Sequence, residues 1–565
     1  MVRWLFRSLL LVAVAALGAA GGGAQPAAVT VSADTTARIG EAFYGIQHHE
    51  NTYDAPLALD KLSRLPLHGV RAWAYPSQFH PEPGVWDWTA LDATIDEIVD
   101  AGYAPFVCLF QAEEWYVGTP DTPWWHDEQA RSEWRLAAHA LADRYGDRVD
   151  AWIVFDEVNY LFPDRPYYMS FETSADVFVE AAREIKLADG DAAVGGPSGF
   201  GGWENGYWAS HVLAREDGAE HLDFVSSNIF LSWDRTDTDA EIMDRTIWYE
   251  EAPQKMRQMV PTDGGRPALL LDAYNASALW TYDGTPQGEP WTDPRNVTTF
   301  GGVYQTAALL HAARGGFDVT LRWETLGGFG ILTWYPDFAE RPPYYAWRLL
   351  TEHGRLRPGS YVLDATTTEP PLPDLPHHSG MNVDGYTVQP FAVAGDEGIS
   401  VVLINKYGDD RQVAVARPAG MGHYEVYRFD DSRHATSLAP LHTGNEDVVS
   451  LVAPALSVSV VKFYDASLTA AEPAGAPDAS ATLFGNVPNP FRSRTRLGFT
   501  LPSESRVTLD VYSPLGRRIA QLYAGTLPGG EHSFTFEGDR VSSGLYFSVL
   551  CVDGACVSRP MTVVR

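Results

Sequence analysis

The chain reads as an α/β protein: a (β/α)8 barrel, then an antiparallel β-sandwich, then a small C-terminal immunoglobulin-like β domain. Three observations carry that reading. From about residue 40 to 345, eight short apolar runs alternate with amphipathic stretches long enough for helices, and eight parallel strands with intervening helices in about 300 residues is the arithmetic of a closed barrel. From 347 to 464 the pattern changes to short alternating strands separated by Gly, Pro and Asp turns, which predicts a sandwich. A stretch rich in Ala, Pro and Gly at 470–480 has little to pack, and it separates off a last β-rich unit.

The bulk properties agree with a large secreted protein. A chain of 565 residues is too long for one compact domain. With 45% hydrophobic and 20% charged residues it is globular material. Lys and Arg total 41 against 73 Asp and Glu, a formal charge of −32, which argues against nucleic acid and anionic membranes as partners. The 18 Trp, 26 Tyr and 25 Phe supply flat apolar faces of the kind on which sugar rings stack, although most aromatic residues pack in cores.

Residues 1–24 read as a signal peptide, with Arg3 and Arg7 before an apolar stretch at 9–20 and small residues up to Ala24. No later apolar run reaches spanning length, so no transmembrane segment is expected in the mature chain. The barrel is assigned to 25–345, with runs at 42–46, 69–73, 105–110, 151–155, 192–195, 223–227, 268–271 and 317–321. Helices are expected between them, for example over 91–101 and 133–145. An open doubly wound sheet is the alternative, but no Gly-rich phosphate fingerprint follows the first strand. The sandwich is assigned to 346–465, and the alternating segment at 28–39 is a candidate extra strand for it. A linker at 466–481 leads to the last unit, 482–565.

In such a barrel the chemistry sits after the strands' C-terminal ends. The fourth run leads into Asp156-Glu157-Val158-Asn159, and acids leaving a buried strand are costly unless solvated, bonded or used. Glu157 is the acid/base candidate. Asp156, Glu113, Glu114 and Glu324 are further carboxyls that could activate water, each with ion pairing or helix capping as its bland explanation. His48 and His49 follow the first strand and suit sugar hydroxyls. Adjacent histidines diverge on an extended chain and no ligand spacing appears, so no metal or cofactor is expected. Trp73, Trp115, Trp124, Trp125, Trp233, Trp280 and Trp334 are candidate sugar platforms, with core packing as the alternative for each.

The segment Trp152-Ile-Val-Phe-Asp156-Glu157 resembles the strand-four signature of the clan-A glycoside hydrolases, in which Trp precedes Asn-Glu-Pro and the Glu is the general acid/base. Phe43-Tyr-Gly-Ile46, Val70-Arg71 and Pro81-Glu-Pro-Gly-Val-Trp-Asp-Trp88 agree with it, and the similarity spans roughly 28–465. It implies a carbohydrate substrate, with Arg71, His48, His49, Trp115, Asn228, Asn275, Trp280 and Trp334 as substrate-binding candidates beside the catalytic candidates Glu157, Asp156 and Glu324. The departures are specific. In the family a nucleophilic Glu ends strand seven; here Leu271-Asp272-Ala273-Tyr274-Asn275 places Ala273 there. Strand six carries Asn228 and Phe230 where the family has His and Tyr, and Asp156 replaces the Asn before the acid/base.

A retaining reaction needs two carboxyls about 5–5.5 Å apart, so Ala273 removes its nucleophile. Asp272 is adjacent, but an undistorted strand aims it at the helices unless a bulge re-aims it. Arg71, freed of the family's nucleophile, is expected to pair with Asp156 or Glu157, which would lower that carboxyl's pKa. Two functions follow from these residues: a hydrolase with Glu157 as acid and a non-family base, or a carbohydrate-binding pseudoenzyme. A different barrel chemistry, such as a lyase, is the third.

The last unit, with Asn486-Val-Pro-Asn-Pro-Phe491, Leu-Pro-Gly-Gly-Glu-His and Ser-Ser-Gly-Leu-Tyr-Phe547, resembles the C-terminal sorting domain of the type IX secretion system. The resemblance implies passage through the periplasm and outer membrane to the surface or the medium, with the secretion machinery as partner. Within this unit Cys551 and Cys556 flank Val-Asp-Gly-Ala. A two-residue Asp-Gly turn sets them opposite each other and predicts a disulfide, leaving Cys108 as a buried thiol.

Overall fold

The computed structural model describes residues 26–48, 58–110, 123–158, 169–232, 234, 236–260, 267–281, 291–333, 337–368, 387–467, 482–512, 518–538, 541, 544–552 and 555–563. Eight parallel strands close a barrel in chain order: β1 Tyr44–Gln47, β2 Gly69–Ala74, β3 Ala104–Leu109, β4 Ala151–Val154, β5 Val194–Phe200, β6 Phe224–Phe230, β7 Ala268–Asn275 and β8 Val319–Arg322. Each overlaps one of the eight apolar runs. Alternation along them fills the interior with Trp73, Phe106, Cys108, Ile153, Phe224, Leu270 and Leu321. Val70, Val107, Trp152, Val154, Val225, Leu269 and Leu271 join the larger core shared with the helices.

The expected helices form over Thr89–Ala101 and Glu128–Tyr145, the second starting five residues earlier than its sequence pattern because Asp127 caps it by accepting from the Ala130 N–H at 2.9 Å. Helix Thr299–Gly315 shows no polar face. Nearly all of it is buried, because it lies between the barrel and the sandwich: a Cβ on Gly302 would meet the Phe429 ring at 2.6 Å, and its His311 touches Glu250 of the barrel and Gln389 of the sandwich.

The sandwich is one nine-stranded sheet folded over a core that includes Val29, Val401, Leu403, Val413, Val449 and Phe463. The early strand Ala27–Arg38 belongs to it, antiparallel to Tyr361–Thr367 and parallel to Arg411–Ala416. On the C-terminal side the sandwich starts later than expected. Residues from 346 continue the helix Pro342–Arg348 and the turn Leu349–His353, so the first strand there begins at Tyr361.

The last unit packs a three-stranded sheet and a four-stranded sheet over Leu483, Phe491, Leu497, Phe499, Val507, Leu509, Phe536, Leu550 and Met561. It rests against the barrel at the residues leading into β2 and β3, the end opposite the mouth. There Arg64 pairs with Glu531 and Arg494 with Asp100, and a cavity of about 240 Å³ lies between Tyr103 on one side and Phe484, Arg496 and His532 on the other. The hairpin register sets Val552 against Ala555 and Cys551 against Cys556. Cys551 is disulfide-bonded and Cys108 is the free, buried thiol. No described helix is long and apolar enough to cross a membrane.

Candidate active site

Six strands, β1, β2, β4, β5, β6 and β7, deliver side chains to one cluster at the mouth. On β2, Arg71 follows the same inward parity as Trp73 and is fully buried. After β4 the parity breaks: Phe155, at φ +76°, turns outward to stack on Trp134 at 5.5 Å, so that Asp156 takes the inward place. Glu157 follows at φ +53°, its N–H donating to the Ser198 carbonyl at 3.2 Å. A non-glycine residue at positive φ is strained and persists only where its surroundings hold it. One such residue on each side of Asp156 fixes where both acids point.

The second break is on β7. Ser227 of β6 pairs with Leu271, but Asn228 pairs with Ala273, and the pairing with β8 skips at the same point. Asp272 is the extra residue of this bulge. The strand is therefore not the undistorted one that would aim Asp272 at the helices. Its carboxylate lies inside, 3.0 Å from Arg71 Nη1, and accepts from the Ser198 hydroxyl. Ser198 is in turn held by Ser226 of β6, and the Gln47 amide of β1 donates to the Asp272 carbonyl.

Arg71 thus bridges two carboxylates, with Nη2 2.8 Å from Asp156 Oδ1. Glu157, named beside Asp156 as a possible partner, is not one of them. The Asn228 amide donates to Glu157 Oε1 at 2.8 Å and to Asp156 Oδ1 at 3.3 Å. Burial, then the neighbouring Asp156 carboxylate, push the Glu157 carboxyl up to about 8, against the pull of Asn228 and Arg71. Burial raises Asp272 to about 6, opposed by Arg71 and Ser198. At neutral pH Glu157 is therefore protonated and half-buried at the mouth, the state a general acid requires.

The other sequence candidates fall into different places. Glu324, just past β8, is buried and raised by that burial to about 8; the charges that act on it are Arg322 and Arg341. Asn275 does not present its amide to a substrate. It donates to the Trp323 carbonyl and to the Phe329 carbonyl, tying β7 to the chain after β8. Trp124 and Trp125 are core residues, with Trp124 against Trp134, so neither is a sugar platform. His48 is buried, its N–H donating to the Arg71 carbonyl. Of Trp280 only the backbone is described, in a short ladder with 291–292. His49, Glu113, Glu114, Trp115, Trp233 and Trp334 lie outside the described residues. Ser198 escaped the sequence reading. Its one signal is a hydroxyl at the end of the buried run Val-Gly-Gly-Pro-Ser.

No protein-family model matches the sequence, and no curated protein matches it. Solved structures do. CelM2, a bifunctional glucanase-xylanase from a metagenome library, aligns over 78% of this chain and 99% of its own at 15% identity and a TM-score of 0.55. A monomeric β-xylosidase from Caulobacter crescentus CB15 aligns over 78% and 99% at 16% identity and 0.53. A family 30 endoxylanase from Clostridium papyrosolvens C71 covers 77% and 99% at 13% and 0.52. These solved structures are glycoside hydrolases, and what this chain shares with them is the fold, a closed eight-stranded parallel barrel with a β-sandwich.

Proposed function

We propose that the protein is an exported glycoside hydrolase acting on a poly- or oligosaccharide, with Glu157 as its general acid. The observation that carries this reading is the Glu157 carboxyl, held at the barrel mouth by Asn228 and protonated up to about pH 8. From there it can give its proton to a glycosidic oxygen. Position 273 offers only a methyl group, and the neighbouring Asp272 is buried and committed to Arg71 and Ser198. Bond cleavage therefore proceeds by attack of water that gives its proton to a carboxylate base, for which the sequence offers Glu113 and Glu114, both outside the described residues. The Glu157 proton goes to the leaving oxygen, and the product anomer is inverted. A screen of the mature chain on a polysaccharide panel, with the first-formed anomer followed by NMR, tests this. Retention with a trapped glycosyl-enzyme would overturn it.

A second reading, a carbohydrate-binding protein without turnover, is favoured by one specific observation. No described carboxylate in the cluster around Glu157 is both ionised and unpaired at neutral pH: Asp156 and Asp272 share Arg71, and Glu324, past the end of β8, is held protonated by burial. Binding to the panel without any product would decide for it.

Export rests on the sequence of residues 1–24 and on the likeness of 482–565 to type IX sorting domains, with that machinery as partner. The position of the last unit, at the barrel end away from the mouth, is compatible with a site left open during and after translocation. Expression in a type IX-competent bacterium with and without residues 482–565 tests it: retention of the shortened chain within the cell envelope is expected, and unchanged export would overturn it.

A further inference from the structure

A cleft of about 390 Å³ opens where β2 ends, lined by Trp73, Tyr75, Gln78, Phe79, Asp87 and Thr89 among others. Its size falls in the range of small-molecule sites, roughly 300–1,000 Å³. It adjoins the acid cluster directly, because the Trp73 ring is a wall common to both: the Arg71 guanidinium carbon lies 4.1 Å from that ring's centroid. Tyr75 stacks parallel to Trp73, centroids 5.9 Å apart, and Phe110 leans on both rings. Trp73 is nearly closed off by these neighbours, and the half-buried Tyr75 is the more exposed ring of the pair. The lining also holds the exposed polar residues Gln78, Asp87 and Thr89.

Aromatic carbon in one lining with a few hydroxyl- and amide-type partners fits a sugar ring, whose C–H face packs on aromatic carbon while its edge makes hydrogen bonds. The charge of the lining narrows the class of sugar. Asp87 is the single charged residue among the described residues of the lining, and Thr89, through its hydroxyl and its backbone N–H, holds that carboxyl below its ordinary value. An ionised acid with no cation beside it among the described lining residues repels uronic and sulfated sugars and accepts hydrogen bonds from neutral ones.

We propose that this cleft is a subsite for a neutral sugar residue of the same glycan whose linkage lies at Glu157, so that the protein selects neutral chains several units long. The inference rests on the carbohydrate reading above. The test is titration calorimetry on the full chain carrying Glu157→Gln to prevent turnover, with xylohexaose, cellohexaose, their disaccharides and a galacturonate hexamer as probes. Tyr75→Ala weakens the neutral hexamer it binds by about fivefold or more, the scale of one aromatic contact. Gln78→Ala weakens it less, the disaccharides change little, and the galacturonate hexamer binds poorly until Asp87→Lys is introduced. Gln78 and Asp87 are exposed, so their variants keep the test open where Tyr75→Ala fails to fold. Neutral hexamer binding unchanged in the Tyr75 and Gln78 variants, or tighter binding of galacturonate by the unaltered cleft, would overturn the subsite and leave the role of Glu157 standing. If no glycan binds any version and the unsubstituted protein turns none over, the carbohydrate reading itself fails, and the cleft with it.

Discussion

Asp156→Asn is the substitution that most directly tests how the acid is made. Its carboxylate is the second cause of the raised Glu157 value, after burial, and an amide keeps the shape and an acceptor oxygen for Arg71 and Asn228 while removing the charge. Two oxygens 2.8 and 3.3 Å from one amide nitrogen are at most about 6 Å apart. At an effective dielectric constant near 20, unit charges at that distance interact by about 3 kcal/mol, or about two pH units. Arg71 retains Asp272 as its charge partner, so the variant should fold. Burial is unchanged, so the midpoint should stop near 6 instead of falling to the ordinary glutamate value. Titration of glutamate carboxyl carbons by NMR, with Glu157→Gln as the assignment control, reads this without turnover. In an active protein the alkaline limb of the pH–rate profile should move about two pH units toward acid. A midpoint that stays put, or rises, would mean that burial alone sets the value and that the Asp156–Glu157 pair does no electrostatic work.

The same carboxyl makes a prediction about stability. Glu157 titrates near its ordinary 4.5 when unfolded and about 8 when folded, so between those values the native state binds more protons and stability falls as pH rises. Glu157→Gln lacks that loss and should gain on the parent between pH 5 and 8, by a few kcal/mol in urea melts; a constant difference would refute it. Asp272→Ala strands Arg71 with one partner in a fully buried site and should cost about 3–5 kcal/mol, with Asp272→Asn milder, in thermal or urea melts. Ending the chain after residue 467 should leave the barrel–sandwich transition within a few degrees of its position, because exposed ion pairs such as Arg494–Asp100 are worth about 0–1 kcal/mol each; loss of cooperative unfolding would show that the last unit is structural. Intact-mass analysis under non-reducing conditions should find the Cys551 disulfide and one free thiol, and reduction should lower stability only modestly because the closed loop is short.

The barrel was legible because both faces of its strands are buried, by the interior on one side and the helices on the other, so they read as short, mainly apolar runs at regular spacing. Helix Thr299–Gly315 was legible only as the helix that the spacing of the last two runs leaves room for. With no solvent face it has no period to detect, and it is helical because barrel and sandwich both press on it. Glu157 could be found from the chain, since an acid closing a buried run is conspicuous. Asp272 could be seen but not aimed. Its direction follows from the pairings on either side of it. Ser227 meets Leu271 and then Asn228 meets Ala273 on one flank, while Thr320 meets Leu271 and then Arg322 meets Tyr274 on the other. That register is set by two neighbouring strands distant in sequence, and no local pattern around residue 272 encodes it.

That bulge also explains why Arg71 stays inside although position 273 has no carboxylate. A buried guanidinium is tolerated when its charge is met, and Asp272 meets it from one residue earlier, with Ser198 holding the carboxylate from the far side. Asp156 occupies the other arm of Arg71, and its charge in turn keeps the proton on Glu157. Three residues that look independent along the chain, Asp156, Asp272 and Ala273, thus belong to one electrostatic arrangement. It leaves a protonated carboxyl at the mouth and commits the Asp272 carboxylate to Arg71 and Ser198, so for the proposed hydrolase the anomer of the product, or its absence, is the measurement on which the function turns.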